Sequence, residues 1–572
     1  MRNVSKHEID SASIPQLKQL CEEIRSEIFC TVSSCGGHLS SNLGVVELTV
    51  ALHRVFDFPH DKIVFDVGHQ CYPHKLLSGR AENFHTLRKA GGISGFPKRN
   101  ESIYDCYDTG HAGTALSAAL GIAKARDLKH ENFEIVALIG DGSFNNGLIF
   151  EALNSLRILN TRVLIILNDN GMSISPTVGG THEVLKDMKD GAASIDDVRL
   201  FERFGLSYMG VFNGNDFNEL LPALEQAKER LNSQNVLLHV CTKKGQGYAF
   251  CEHEPQETHG ISPHAKDITR KEYSHALGEE LSLLAATDER IVAVTAAMTD
   301  SLGLRDFFNS YPERAFDVGI CEEHASVLCA ALATQGLKPY YAIYSTFLQR
   351  AFDEIIHDVC GQDLPVTFCI DRAGITGADG ETHQGVFDLS YLSLIPNLTI
   401  AIPKDIGEFR AMLRLSQNYS HPLAIRYPRA GIESAPNHVE IGKCELLHST
   451  LSDIIVFAAG ETGISIAENV RNKVQKEGID FTIINARFLK PIDAELLLSR
   501  KEKYVITIED NALIGGLGDA INRFYLNSGK IICNFGYRDA FIPHGDISLL
   551  QTQYGLNEDK ILECIRKFYA CR

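Results

Sequence analysis

Ile135-Val136-Ala137-Leu138-Ile139-Gly140-Asp141-Gly142, followed one β-α-β unit later by Val163-Leu164-Ile165-Ile166-Leu167-Asn168-Asp169-Asn170-Gly171-Met172, decides how this chain folds. Each apolar run lacks a polar break, which is the pattern of a strand buried on both faces of a parallel sheet. Gly140-Asp141-Gly142 falls where the first strand ends, and Asn170 lies just past the end of the second. Asp141 and Asn170, 29 positions apart, should therefore reach neighbouring strand ends, the edge at which open parallel sheets bind ligands. A carboxylate, an amide oxygen and free backbone carbonyls are hard donors that suit Mg²⁺ held together with a diphosphate. The two glycines let the backbone come close to phosphate oxygens. Gly-Asp-Gly alone is a common turn; the Asn-Asp-Asn one unit later makes the pair specific.

Outward from this stretch, strand-like runs recur at Val236–Val240, Ile291–Thr295, Val366–Ile370, Leu398–Ile402, Ile454–Ala458, Phe481–Ile484 and Tyr504–Ile508, separated by helix-like segments. Such alternation predicts an α/β protein of mostly parallel sheets flanked by helices. Polar stretches at Cys251–Arg270 and near Gly431–Ser449 suggest three domains, 1–268, 269–440 and 441–572. Thr181–Val198 is polar and rich in Gly and Asp, and reads as a mobile surface loop. The net charge of −18 argues against a general nucleic-acid or anionic-membrane binder, though local arginines can still oppose that sign. Fifteen scattered cysteines without zinc spacing read as buried thiols in a reducing cytoplasm. Met1–Glu8 has no apolar core of a secretory signal, and no uncharged stretch reaches the roughly 18 residues a membrane span needs. A cytoplasmic location is expected.

Three Gly-His pairs precede the Gly-Asp-Gly turn, in Gly36-Gly37-His38, Gly68-His69-Gln70 and Gly110-His111-Ala112-Gly113. Each histidine alone is an ordinary turn residue, but loops from one sheet edge could line one pocket and donate or shuttle protons. No His or Cys spacing is convincing for zinc. In the middle third, Gly319-Ile320-Cys321-Glu322-Glu323-His324 carries adjacent carboxylates, which by themselves read as a solvated helix face. Arg350, Arg372 and Arg429 each lie beside or just after an expected strand, and with Tyr344 could form a bidentate phosphate site rather than three separate ion pairs.

Together these segments resemble the 1-deoxy-D-xylulose-5-phosphate synthase family of transketolase-like thiamine diphosphate enzymes. The shared motifs include Gly-Gly-His-Leu-Ser-Ser-Asn-Leu-Gly at 36–44, Tyr-Pro-His-Lys at 72–75, Gly-Phe-Pro-Lys-Arg at 95–99 and Met-Ser-Ile-Ser-Pro at 172–176. They continue with Tyr-Ser-Thr-Phe-Leu-Gln-Arg at 344–350, Gly-Ala-Asp-Gly at 377–380, Thr-His-Gln-Gly at 382–385 and Arg-Tyr-Pro-Arg at 426–429. The last third keeps Glu509-Asp510-Asn511-Ala512 and Phe541-Ile542-Pro543-His544-Gly545. The long middle motifs are particular to this synthase; plain transketolases share only the thiamine features.

The resemblance implies a three-domain transketolase-like homodimer that transfers two carbons from pyruvate, with loss of CO₂, to D-glyceraldehyde 3-phosphate. The product feeds isoprenoid, thiamine and pyridoxal phosphate synthesis. Asp141, Asn170 and the Met172 carbonyl are implied as Mg²⁺ ligands. Gly142, Ser143, Asn170, His69, His111, Ala112, Gly113 and Lys244 are implied at thiamine diphosphate. Ile174 and Ile320 would clamp its thiazolium ring, and Phe347 would stack on its pyrimidine. Glu322 is implied as the acid that hydrogen-bonds the aminopyrimidine. His38, His69, His383 and Asp379 would orient substrates and move protons, while Tyr344, Arg350, Arg372, Arg429, His383 and His259 would bind substrate. Some features depart from the family. The segment between Gly180 and Leu200 is several tens of residues shorter than usual. Glu323 stands for a usual Gln, Gly171 for a usual Glu, Asn213-Gly214-Asn215-Asp216 for Asp-Gly-His-Asp, and Ala112-Gly113-Thr114 for a more Ser-rich run. A transketolase acting on ketose phosphates and a non-catalytic thiamine diphosphate-binding paralogue are the alternatives.

Overall fold

The computed structural model describes residues 1–172, 178–262, 270–435 and 437–571, with the side chains of residues 195 and 196 outside the description. The chain divides into two compact units, Met1–Ala265 with Gly319–Cys321, and Lys266–Val318 with Glu322–Arg572.

Unit 1 is built on a five-stranded sheet ordered Lys62–Phe65, Ile135–Gly140, Leu164–Asp169, Asn235–Cys241, Leu206–Asn213. Every neighbouring pair is parallel. The unbroken apolar runs are explained by burial on both faces. Val136, Leu138, Leu164 and Ile166 pack into one core, and Ile135, Ala137, Ile139, Ile165 and Leu167 into another on the opposite side. The strands end at Gly140 and Asp169, so Asp141 and Asn170 leave adjacent strands at the same edge.

Unit 2 holds two sheets. Seven strands run in the order Phe488–Lys490, Thr399–Ala401, Leu423–Arg426, Thr367–Asp371, Lys338–Tyr344, Ile291–Thr295, Ala315–Asp317. All are parallel except Phe488–Lys490. Five more run Glu445–His448, Thr482–Asn485, Ile454–Ala459, Tyr504–Ala512, Ile531–Tyr537, with only the first antiparallel. Residues from both sheets share one core: Ile455, Phe457 and Val505 pack in the same cluster as Ile343, Ile370 and Ile425. Ile454, Val456 and Ile506 face a separate core on the other side. This shared core, and a strand lent from Phe488–Lys490, joins the two sheets within unit 2. The expected α/β architecture of mostly parallel sheets is the one observed.

One expectation is overturned. Thr181–Val198 is not a surface loop; it lies in helices Gly180–Lys189 and Ile195–Arg203 and the turn that joins them. Leu185, Met188 and Phe201 are buried in the core of unit 1, and spacing of three places Leu185 and Met188 on one helix face. A reciprocal capping box between Ser194 and Asp197 starts the second helix. Two short amphipathic turns with few apolar residues look like a loop until the surface that receives them is known. No helix among the described residues is long and apolar enough to cross a membrane.

Candidate active site

In unit 1 the Gly-Asp-Gly turn becomes a short helix, Asp141–Phe144, in which Asp141, Gly142 and Ser143 are all buried. The Asn170 amide nitrogen lies 3.4 Å from Asp141 Oδ1, and Asn170 Oδ1 accepts from Met172 N at 3.2 Å. The expected metal ligands are therefore adjacent, and all three offer oxygen, as a hard divalent cation requires. Ile174 lies outside the described residues. Behind this turn sits a buried network the sequence reading missed. Asp169 Oδ1 accepts from Gly171 N at 3.0 Å and Lys189 Nζ at 2.8 Å; Asp169 Oδ2 lies 3.0 Å from His239 Nε2. The Tyr208 hydroxyl is 2.9 Å from His239 Nδ1, and Cys241 lies close by. Burial pushes the Asp169 carboxyl up, but its bonds from His239 and Lys189 hold it below the ordinary carboxylate range.

The Gly-His loops do converge. The rings of His38, His69 and His259 form a triangle with centroids 5.4–5.5 Å apart. Asn42, fully buried, donates to the His38 and His69 carbonyls, both at 2.7 Å, and accepts from Tyr72 N at 2.8 Å. His259 Nδ1 is 3.1 Å from Ser41 Oγ. Burial, with Lys244 and the other two histidines nearby, holds the His259 imidazole well below its usual pKa. Burial also lowers the Lys244 ammonium to about 8, although the charge of Asp141 opposes the shift. Asp66 joins the second and third loops by accepting from Gly113 N and Ala115 N at 2.9 and 3.1 Å. This places Ala112 and Gly113, both buried, beside the His69 loop, with His111 half-buried. Gly113 has φ +87°, and a Cβ there would lie 2.3 Å from Asn146 Oδ1; only glycine fits. Asn146 in turn donates to the Ile320 carbonyl at 2.8 Å, which places Ile320 with unit 1. Asn42 lay within the 36–44 motif, but only the fold shows that it and Asp66 tie loops together.

In unit 2, Glu322 opens the helix Glu322–Thr334 and is buried, unlike the solvated pair its neighbourhood first suggested. Burial raises its carboxyl to about 7, against the pull of Arg350, whose Nη1 is 3.7 Å from Oε2. Among the described residues, Glu322 Oε2 is buried yet accepts no hydrogen bond. A buried carboxyl oxygen left this way fits a ligand that hydrogen-bonds it. Phe347 stacks on Tyr344 at 5.7 Å and meets His383 edge-on at 5.6 Å.

Tyr344, Arg372, Asp379, His383 and Arg429 line one cleft of about 580 Å³. Arg372 and Arg429 share this cleft, and Arg350 lies apart from them. Arg372 is held by its neighbour Asp371 at 2.9 and 3.0 Å and lies 4.7 Å over the Tyr344 ring. Arg429 is exposed, 3.3 Å from Glu272, whereas Arg350 lies beside Glu322 and is not among the residues of the cleft wall. Burial raises the Asp371 carboxyl to about 6 against the pull of Arg372.

The chain is 43% identical to a 1-deoxy-D-xylulose-5-phosphate synthase of Clostridium tetani, over 98% of this chain and 98% of that one. It belongs to the 1-deoxy-D-xylulose-5-phosphate synthase family. The synthase of Dictyoglomus turgidum is 46% identical over 98% of this chain and 97% of its own. The family signature described as 1-deoxy-D-xylulose-5-phosphate synthase matches residues 2–194 and 189–242. The transketolase pyrimidine binding domain matches 270–433, and the transketolase C-terminal domain 442–561. Among solved structures, a transketolase of Campylobacter jejuni aligns with a TM-score of 0.45 at 18% identity, over 97% of this chain and all of that one. In family terms, Asp141 and Asn170 lie in the synthase-specific N-terminal match, and Glu322, Arg372 and His383 in the pyrimidine binding domain.

Proposed function

We propose that this chain makes 1-deoxy-D-xylulose 5-phosphate, moving two carbons from pyruvate to D-glyceraldehyde 3-phosphate with release of CO₂. The product serves isoprenoid, thiamine and pyridoxal phosphate synthesis. The observation that carries the reading is Glu322, a buried helix-opening acid whose Oε2 accepts no hydrogen bond among the described residues. Thiamine diphosphate, when bound, supplies a nucleophilic carbon and an electron sink for decarboxylation. Glu322, half protonated near neutral pH, would hold or give a proton at Oε2 to a ring nitrogen of that cofactor. Phe347 offers a flat apolar face for the same ring. Asp141, Asn170 and the Met172 carbonyl would hold Mg²⁺, with Gly142, Ser143 and Lys244 at the diphosphate, His69, His111, Ala112 and Gly113 around it, and Ile320 against the thiazolium. The His38–His69–His259 triangle would orient the reacting oxygens, since a buried, neutral His259 both donates and accepts. Arg372, Arg429 and Tyr344 would receive the acceptor phosphate, with Asp379 and His383 at its hydroxyls. Arg350 would hold Glu322 as well as substrate.

We further propose three domains, 1–268, 269–440 and 441–572, and a homodimer, which light scattering would test.

The assay is pyruvate with glyceraldehyde 3-phosphate, with and without thiamine diphosphate and Mg²⁺, following ¹⁴CO₂ from [1-¹⁴C]pyruvate. Release that needs acceptor, cofactor and metal supports the reading. Ketose-phosphate turnover without CO₂ would mark a transketolase, and no turnover despite cofactor binding a non-catalytic paralogue.

A further inference from the structure

Asp510 lies on Tyr504–Ala512, the fourth strand of the five-stranded sheet, is almost fully buried, and stands in the wall of the cleft that Asp379 and His383 also line. Its carboxylate reaches out of that sheet to the loop after Thr367–Asp371. Asp510 Oδ1 accepts from the Tyr537 hydroxyl at 2.5 Å and from Ile375 N at 3.4 Å, and Oδ2 accepts from Thr462 Oγ1 at 2.9 Å. The contact with the loop is tight. Gly374 has φ +84°, and a Cβ on it would fall 2.4 Å from Asp510 Oδ2. The Asp510 carbonyl also accepts from Arg426 Nη2 at 2.5 Å, and Arg426 is held by Asp388 at 3.0 Å.

The loop itself is closed on its base. Gly374 and Gly385 exchange both backbone hydrogen bonds, at 2.7 and 2.8 Å. Inside the closure, buried Gln384 accepts from Thr376 N and Gly377 N at 2.7 and 3.1 Å. Its Nε2 then donates to the Pro543 carbonyl at 3.1 Å. Gly545 N donates to the Gly377 carbonyl at 3.3 Å. Two motifs of the last third, Glu509–Ala512 and Phe541–Gly545, thus hold the one loop that carries Asp379 and His383.

We propose that Asp510 is a positioning residue: it fixes loop 374–385 against the five-stranded sheet, so that Asp379 and His383 keep their places in the cleft. The inference rests on the reading of that cleft as the substrate site. A carboxylate accepting from three elements fixes the loop base more rigidly than packing alone, and misplacing a positioning group by about 1 Å costs about a hundredfold in rate.

The test compares wild type, Asp510→Ala, Asp510→Asn and Tyr537→Phe. Amide hydrogen exchange of the cofactor-free protein reads the loop directly. Faster exchange confined to residues 374–386 in Asp510→Ala, partly restored in Asp510→Asn, is expected; unchanged exchange there overturns the proposal. In kinetics, Asp510→Ala should raise KM for the aldehyde phosphate about tenfold, with thiamine diphosphate affinity by fluorescence titration within about twofold of wild type. Loss of cofactor affinity equal to the loss of kcat/KM overturns it as well, since that marks general damage. Faster loop exchange with both substrate KM values unchanged leaves the positioning contact standing and instead overturns the substrate reading of the cleft. Should Asp510→Ala fail to fold, Tyr537→Phe, which removes a single hydrogen bond, must show the same confined exchange, and its absence overturns the proposal.

Discussion

The two units apply one physical rule to opposite charges. Unit 1 buries Lys244 near Asp141, and unit 2 buries Glu322 at the head of a helix. Burial disfavours whichever form is charged, so Lys244 falls to about 8 and Glu322 rises to about 7. Both are thereby brought near neutrality, where a proton can be gained or lost. Their surroundings differ. Unit 1 gathers oxygen donors at Asp141 and a triangle of imidazoles at its Gly-His loops; unit 2 sets arginines beside acids. In the proposed function the first would hold a cation with its diphosphate, and the second would carry an acid-base step next to an anionic acceptor.

Glu322→Gln should have the largest effect. It keeps the shape and removes the proton, so kcat should fall about a thousandfold while thiamine diphosphate binding, by titration calorimetry, stays largely intact. Wild-type turnover would remove Glu322 from the chemistry.

A second test reads the opposite signs. Native Glu322 titrates near 7 and the unfolded carboxyl at 4.5, so the folded protein holds the extra proton between those values. Its share of stability is complete below pH 4.5 and lost as pH rises through 7, on the order of 3 kcal/mol. Wild type should lose that much relative to Glu322→Gln across the window, by urea unfolding without cofactor. Lys244 should do the reverse. Its unfolded form binds the extra proton between about 8 and 10.5, so wild type should gain a similar amount on Lys244→Met over that range.

Within unit 2, Arg372→Ala should raise KM for the aldehyde phosphate about thirtyfold, the worth of a charge-assisted hydrogen bond pair, and KM for pyruvate far less. An equal rise in both would contradict a phosphate role. The smallest effect is expected in unit 1. Lys189→Ala removes one partner of Asp169 but leaves His239, and should cost about 1 kcal/mol in thermal unfolding. No change would mean that helix Gly180–Lys189 docks through Leu185 and Met188 alone.

Legibility in the sequence followed the range of the interactions. The strands around Gly140 and Asn170 were readable because burial on both faces leaves an unbroken apolar run. The oxygen donors were readable because strand ends fix where they emerge. The helices of Thr181–Val198 were not, because their stability comes from a core contributed by distant segments. The arginines looked like one cluster since each follows a strand; Arg372 and Arg429 do share a cleft, whereas Arg350 sits beside Glu322. Apart from the family resemblance, Glu322 and Glu323 read as one solvated pair, and packing buries the first.

The sequence alone determined the parallel α/β architecture, the strand-end placement of Asp141 and Asn170, and the family, because these rest on local periodicity and on residues fixed to strand ends. The tertiary structure decided which acid is buried and raised, which loops Asn42, Asp66 and Asp510 bind together, and how the short segment after Gly180 is anchored. Each of these depends on contacts between residues far apart in the chain, and burial and pairing are set only when those residues meet.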